Sequence, residues 1–466
     1  MKIKFCGAAQ TVTGSAHLIT LDSGYSILFD CGLFQGRQAY IDILNQSWHF
    51  DPANIDVLIL SHAHIDHAGR IPKLCKDGFK GKIYATHASA DLAKIMLMDS
   101  AHIQEKDSEY HNKKRKKNEP NIPPLYTIKD AEKSMMHFAP VNYNEWIKIN
   151  DECQFIYRDA GHILGSANIT LNIRRADGKY TTIGFTGDIG RPERPILRDP
   201  QTMSDIDYLI CESTYGNRLH EGPPDDEKSF WDVIYKTCYI HKGKVVIPAF
   251  SLGRTQEIVY MLDKMHHQHK IARLPIYVDS PLSTNATDIY RKHAECFNEE
   301  IKKYLLIDDN PFGFNDLKYI QDVADSKALN ESDEPCIIIS ASGMAEAGRI
   351  VHHLRNTIDD SRNTVLIVGY CAEGTLGRRI KDGNNIVKIL GGYHTVRAQV
   401  AVMDSFSAHG DRDELTHFIK KSTNHKLKHI FLVHGELEAQ HLFTTHLKAN
   451  GFKTISIPTI GEEIIL

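Results

Sequence analysis

The chain has 466 residues, 42% of them hydrophobic and 24% charged, the balance of a globular protein with length for two or three domains of ~100–200 residues. Its longest apolar runs, such as Val57 to Leu60 and Cys336 to Ile339, fall far short of the ~20 residues of a membrane span, and residues 1–19 lack the apolar core of a signal peptide. A net charge of −4 exerts no strong global pull on nucleic acid or a membrane surface, so any nucleic-acid role must use a local basic patch.

In chain order, residues 3–5, 16–21 and 25–29 read as short strands punctuated by Gly14, Gly24 and Gly32. Val57 to Leu60 reads as a buried strand. Residues 88–104 carry Leu92, Ile95, Met96 and Met98 on one side of a predicted helix, and 105–124, with the Lys113–Lys117 basic run and three prolines, read as a frayed end and exposed loop. Strands return at 153–158, 167–173, 180–186 and 207–211. From about 217 to 394 the rhythm changes to four units of apolar strand, Gly/Ser loop and helix, beginning at Val245, Ile276, Cys336 and Val365. Such alternation implies parallel strands with right-handed crossovers. Strand-rich sequence resumes at 396–403, 429–433 and 454–457, as expected of one discontinuous domain interrupted by an inserted one. The nine cysteines are odd in number and form no Cys-x-x-Cys pair, which reads as reduced thiols of a cytoplasmic protein.

The densest chemical signal is Ser61-His62-Ala63-His64-Ile65-Asp66-His67, directly after the strand at 57–60. Three imidazoles and a carboxylate within six residues suit zinc or a similar divalent ion, with enough ligands to start two sites. His162, Asp188 and His434 each follow an apolar strand and sit beside a glycine. Singly each is a turn residue; together with His-x-His-x-Asp-His they become candidate ligands.

This ordered series resembles the metallo-β-lactamase superfamily. Glu212 in Cys211-Glu212-Ser213-Thr214, His409 in Ser407-Ala408-His409-Gly410, and His434 resemble motifs A, B and C of its β-CASP nucleases, the group of the pre-mRNA 3′-end cleavage endonuclease and its bacterial and archaeal relatives. The resemblance implies an α/β fold: an αββα sandwich over 1–216 and 395–466, with an inserted β-CASP α/β domain over 217–394. It implies two zinc ions per chain, one on His62, His64 and His162, the other on Asp66, His67 and His434, bridged by Asp188. It implies Asp30 as a residue steadying the metal loop, and Asp66, His409 and Glu212 as catalytic, with His409 the general acid charged by Glu212. Two cations would acidify a shared water and neutralise a phosphate. Arg254, Ser342, Gly343 and Arg378 lie in loops before helices of the inserted domain, where backbone N–H groups suit phosphate and RNA.

The expected activity is zinc-dependent hydrolysis of single-stranded RNA, endonucleolytic with room for 5′ exonuclease action. The alternatives are a DNA nuclease of the same fold, a small-molecule metallo-hydrolase and a non-catalytic RNA-binding scaffold. The DNA-specialised members of the family usually lack a histidine at motif C, so by this resemblance His434 implies RNA over DNA. The inserted domain, His409 and Glu212 argue against a small-molecule hydrolase, and the full set of ligands argues against a scaffold. No membrane partner is expected, and apolar edge strands are compatible with a homodimer.

Overall fold

Strand His429–Val433 shows why the first half of this protein layers as it does. Phe431 and Val433 point into one apolar core, and Ile430 and Leu432 into another. Alternation with both sets buried marks a central strand covered on both faces. The computed structural model describes residues 1–36, 40–115, 120–175, 178–220, 226–271, 273–369, 371, 374–403 and 408–466. These form two units, Met1–Leu219 with His409–Leu466, and His220–Ala408.

The first unit holds two sheets of seven strands each. One runs Glu463–Ile465, Lys2–Phe5, His17–Thr20, Ser26–Phe29, Val57–Ile59, Lys82–Thr86 and Phe138–Val141. The other runs Ile455–Ser456, His429–Val433, Tyr208–Glu212, Tyr180–Phe185, Ala167–Arg174, Cys153–Asp159 and Trp146–Lys148. Their inner faces meet in a core that includes Phe5, Ile27, Phe29, Ile59, Phe155, Leu171, Phe185 and Phe431. On the outer face of the second sheet, Leu209, Cys211, Ile430 and Leu432 meet Leu415, Phe418 and Ile419 of helix Arg412–Ser422, and Phe443 and Leu447 of helix Leu437–Ala449. This is the αββα sandwich that the resemblance implies.

The helix expected at 88–104 spans His87–Lys114. Thr86 starts it by accepting from the Ser89 N–H. Residues 105–114 are mostly polar and charged, so the apolar pattern fades where the helix does not. The Ile122 carbonyl accepts from Ser108 Oγ (2.5 Å) and Asn112 Nδ2 (3.0 Å), tying the next segment back along the last turns. Of the basic run, Lys113 and Lys114 close the helix and Arg115 follows it; Lys116 and Lys117 lie outside the described residues.

The second unit is built on a six-stranded sheet in the order Leu317–Tyr319, Ile276–Val278, Ile337–Ser340, Val245–Pro248, Thr364–Ile367 and Gln399–Val402, every pair parallel. The four expected strand–loop–helix units are all present. The strand at Gln399–Val402 departs from expectation. It pairs with Thr364–Ile367 and so extends this sheet, and the first unit resumes only at His409. An apolar strand looks alike in sequence whichever sheet takes it; pairing decides. Leu317–Tyr319 and the hairpin Ile386–Ile389 with Gly392–Thr395 are further strands that the sequence pattern does not single out. Among the described residues, no helix is long and apolar enough to cross a membrane.

Candidate metal centre

Five strands of the first unit deliver the candidate residues from their C-terminal ends. Val57–Ile59 leads into His62, His64, Asp66 and His67; Cys153–Asp159 into His162; Tyr180–Phe185 into Asp188; Tyr208–Glu212 ends on Glu212; and His429–Val433 leads into His434. Loops at such ends are free of the ladder, so their side chains can converge.

They converge as two groups. His62 Nε2 and His162 Nε2 lie 3.1 and 3.2 Å from His64 Nδ1, and each lies 3.5 Å from Asp188 Oδ2. His67 Nε2 lies 3.2 Å from His434 Nε2 and 3.3 Å from Asp188 Oδ1, and His434 Nε2 lies 3.4 Å from Asp66 Oδ2. Asp188 therefore turns one oxygen to each group. Ring nitrogens facing one another this closely repel as lone pairs, unless something positive sits among them. Ligand nitrogens ~2.0–2.1 Å from a tetrahedral zinc are spaced by about these distances. Asp188 Oδ1 and His162 Nδ1 are buried without a hydrogen-bond partner, which a cation would relieve at the carboxylate. The seven residues fit a two-metal centre.

The charges agree. Burial holds His62 and His162 well below the ordinary histidine pKa and His64 at about 4, so all three are neutral, the form that ligates. Burial works against charge on Asp66 too, but the His434 hydrogen bond and the His67 charge hold it at about 2, an anion. His67 is the exception. Burial disfavours its proton, yet Asp188 and Asp30 raise its pKa well above the usual value. The negative field that draws a proton there draws a metal cation equally.

Asp30 anchors the loop. Fully buried, it accepts from the Ser61 N–H (2.7 Å) and Ser61 Oγ (2.9 Å) and meets His67 Nδ1 at 2.7 Å, leaving Nε2 for the centre. Asp30 and His434 both have left-handed backbone, with φ of 58° and 49°. Bulky residues adopt this at a cost of ~1–2 kcal/mol, so neighbours must hold them there; the His434 N–H donates to the Ala8 carbonyl at 2.7 Å. Sequence reasoning missed two supports. Ser61 Oγ also touches His62 Nδ1 (3.0 Å), and Thr214 Oγ1 touches His434 Nδ1 (3.0 Å). Their signal was position, one beside His62 and one two residues after Glu212.

His409 stands beside the ligands without joining either group. Its ring lies 4.5 Å from that of His162, and its Nδ1 is 3.2 Å from Glu212 Oε2. Glu212 is fully buried and accepts from the Ile189 N–H at 2.5 Å. Burial opposes the imidazolium, but Glu212 and Asp188 outweigh it and raise the His409 pKa to about 9. Just past His409, Asp411 starts helix Arg412–Ser422 by accepting from the Asp413 and Glu414 N–H groups; Ser407 lies outside the described residues.

In the second unit, three neighbouring strands, Val245–Pro248, Ile337–Ser340 and Thr364–Ile367, lead toward the expected phosphate residues, but only Ser342 and Gly343 lie in a loop: Arg254 opens helix Arg254–His267 and Arg378 lies within helix Leu376–Lys381, because each helix starts earlier than the Gly/Ser pattern suggests. A Cβ on Gly343 would come within 2.7 Å of the Phe250 ring, and the Gly377 N–H donates to Met344 O at 3.0 Å, so these loops touch. Arg254 is buried and paired with Glu257, and Arg378 bonds Asp382 at 2.8 and 2.9 Å. Both guanidinium groups thus have carboxylate partners within their own helices.

Residues 10–137 match the metallo-beta-lactamase superfamily, 255–380 the Beta-Casp domain, and 393–458 the Zn-dependent metallo-hydrolase RNA specificity domain. Ribonuclease TTHA0252 of Thermus thermophilus is 34% identical over 100% of both chains. The chain belongs to the metallo-β-lactamase superfamily, in its β-CASP branch. Cleavage and polyadenylation specificity factor 73 of Drosophila melanogaster is 30% identical over 94% of this chain and 60% of its own length. A crystal structure of a protein of unknown function from Enterococcus faecalis shares the fold, with a TM-score of 0.53 at 12% identity, covering 100% of this chain and 99% of that one. The β-CASP assignment agrees with the parallel sheet of the second unit, and the metallo-β-lactamase assignment with the sandwich of the first.

Proposed function

We propose that this protein hydrolyses phosphodiester bonds of single-stranded RNA at a centre holding two zinc ions. The observation that carries the reading is Asp188, with one carboxylate oxygen turned to each histidine group and the His409–Glu212 pair alongside. The similarity to a named ribonuclease along the whole chain and the match to an RNA specificity domain support RNA as the substrate.

His62, His64 and His162 would hold one ion, Asp66, His67 and His434 the other, and Asp188 would bridge them. When bound, the ions supply an acidified water as nucleophile and positive charge for the phosphate. Asp188 would offset the repulsion between the cations, Asp66 would be an anionic ligand and, with Glu212, a catalytic carboxylate, and Asp30 orients His67. His409 donates a proton to the leaving 3′ oxygen from Nε2, because Glu212 engages Nδ1. Products would then carry a 5′-phosphate and a 3′-hydroxyl. Ser342 and Gly343 from their loop, and Arg254 and Arg378 from the first turns of their helices, would contribute to the RNA track. The sandwich domain and the β-CASP domain would divide these tasks, with strand Gln399–Val402 counted to the β-CASP side.

All nine cysteines are free thiols, which supports a reducing, cytoplasmic setting. The edge strand Glu463–Ile465 exposes Ile465, which supports a homodimer. The test is to incubate the purified protein with end-labelled RNA and matched single-stranded DNA, with and without a chelator, and to map product ends. RNA cut to 5′-phosphate ends, chelator-sensitive and with DNA spared, is the expected result; chelator-resistant cleavage, or DNA cut as well as RNA, would sink it.

A further inference from the structure

A second cluster of metal-ligating side chains lies in the second unit, sharing no residue with the centre above. Asp263 and His267 are one turn apart on helix Arg254–His267, a spacing that puts both on one face. Asp308 joins them from the turn after helix Glu299–Tyr304, where its N–H donates to the Tyr304 carbonyl at 3.0 Å. One ligand atom from each of the three lies within 4.8 Å of the other two.

The histidine of this cluster hydrogen-bonds neither carboxylate. Asp263 is fully buried, and its Oδ1 has no hydrogen-bond partner. Its Oδ2 accepts from the Tyr304 hydroxyl at 2.7 Å. His267 Nδ1 lies 3.6 Å from Asp308 Oδ2 and 4.0 Å from Asp263 Oδ2, both too long for hydrogen bonds, and 3.3 Å from the Tyr304 hydroxyl, which lies beside Asp263 as well. Asp308 Oδ1 is held by the Asn310 N–H at 2.8 Å, which leaves Oδ2 toward the histidine. A buried, partnerless carboxylate oxygen beside a second carboxylate is costly. Burial pushes the Asp263 carboxyl up to about 6, against the Tyr304 hydrogen bond and the His267 charge and with help from the Asp308 charge and a hydrogen bond to Asp308.

Distance and chemistry decide between occupants. Two ligands at ~2.1 Å from one ion can be at most ~4.2 Å apart, and both histidine–carboxylate separations fall inside that bound. An imidazole with two carboxylates suits a first-row divalent cation better than calcium, which takes oxygen alone. The Tyr304 hydroxyl would orient Asp263 as hydrogen-bond donors orient carboxylate ligands in metal sites. The His267 ring is 44% exposed, so an ion and its waters can reach the site from solvent. We propose that Asp263, His267 and Asp308 bind one divalent transition-metal ion, of the manganese or zinc class, at a site separate from the bridged centre.

Mn²⁺ serves as the probe. The full-length chain, its His267→Ala variant and its Asp263→Asn variant are dialysed to equilibrium against graded Mn²⁺, and metal per chain is measured by elemental analysis. The wild type should take up one more Mn²⁺ per chain than either variant at saturation, whatever the seven-residue centre holds. Its melting temperature should also rise further with Mn²⁺ than that of His267→Ala, since an ion bound only by the folded state stabilises it. Because His267 is at the surface, His267→Ala keeps the test valid should Asp263→Asn fail to fold. Equal uptake by wild type and His267→Ala would overturn the proposal and leave a proton-sharing cluster.

Discussion

At the scale of single residues, the proposed roles of His409 and Asp30 can be told apart, one in proton transfer and the other in metal binding. His409 touches Glu212 through Nδ1 and belongs to neither ligand group, so His409→Ala should keep its zinc while turnover on RNA falls ~10²–10⁴-fold. A nitrophenyl phosphodiester, whose leaving oxygen needs no proton, should suffer less; equal loss on both substrates would make His409 a phosphate-positioning group. An acid works only while protonated, so activity should fall as pH rises through the His409 pKa. That pKa is raised to about 9, against burial, by Glu212 and Asp188, and bound cations would lower it. Glu212→Gln removes one of those charges, so the descending limb of the pH–rate profile should move to lower pH; an unmoved limb would take Glu212 out of the mechanism. Asp30→Asn keeps the volume but cannot accept as a carboxylate from both Ser61 and His67. Zinc affinity should drop ~10–100-fold, read by competition with a chromogenic chelator.

At the scale of elements, the metal loop is held by a close approach that only glycine permits. A Cβ at Gly32 would stand 1.6 Å from the Asp66 carbonyl oxygen, a backbone atom that cannot swing aside. Gly32→Ala must move the loop bearing Asp66 and His67. It should cost metal content and lower the melting temperature by several degrees, whereas Gly24→Ala, with open space but φ of +89°, should keep full metal content. Helix Arg412–Ser422 offers a milder test. Asp411 caps it in a reciprocal box with Glu414, so Asp411→Ala should cost about 1 kcal/mol in urea unfolding. Asp411 lies two residues past His409, so a drop in turnover with full metal content would show that the cap also positions the acid.

At the scale of the whole molecule, stability in acid should depend on buried neutral imidazoles. His17 is fully buried between Phe5 and Phe185 with neither ring nitrogen hydrogen-bonded. Burial and the nearby His67 and His434 lower its pKa to about 3. The unfolded chain takes up that proton below ~6.5 and the folded chain does not, so stability present above that pH is lost as pH falls, by about 1.4 kcal/mol per unit for this one group. Urea titrations of chelator-treated protein from pH 7 to pH 4 should show a shallower decline in His17→Phe; an unchanged slope would exclude His17 as a source. Zinc should act in the same assay from the other side, raising the melting temperature, with the rise lost in acid as ligands protonate.

Sequence alone pointed to the chemistry, because the capacity to ligate is a property of residue type and His62-x-His64-x-Asp66-His67 crowds four residues able to hold a metal into one turn after a strand. It also determined the two styles of architecture, since strand–helix alternation and the spacing of apolar residues are local signals. Three things were left to tertiary structure, each for a reason of distance along the chain. His434 meets His67 at a separation of 367 residues, and nothing in the sequence near either requires the other. Strand Gln399–Val402 has the same apolar look in either unit, and only its register with Thr364–Ile367 assigns it to the parallel sheet. The Asp263–His267–Asp308 cluster was invisible because its i, i+4 pair is an ordinary helix pattern until a turn about 40 residues on brings a second carboxylate against it. Local patterning is written in residue order, whereas convergence of distant side chains is created by the packing that buries them.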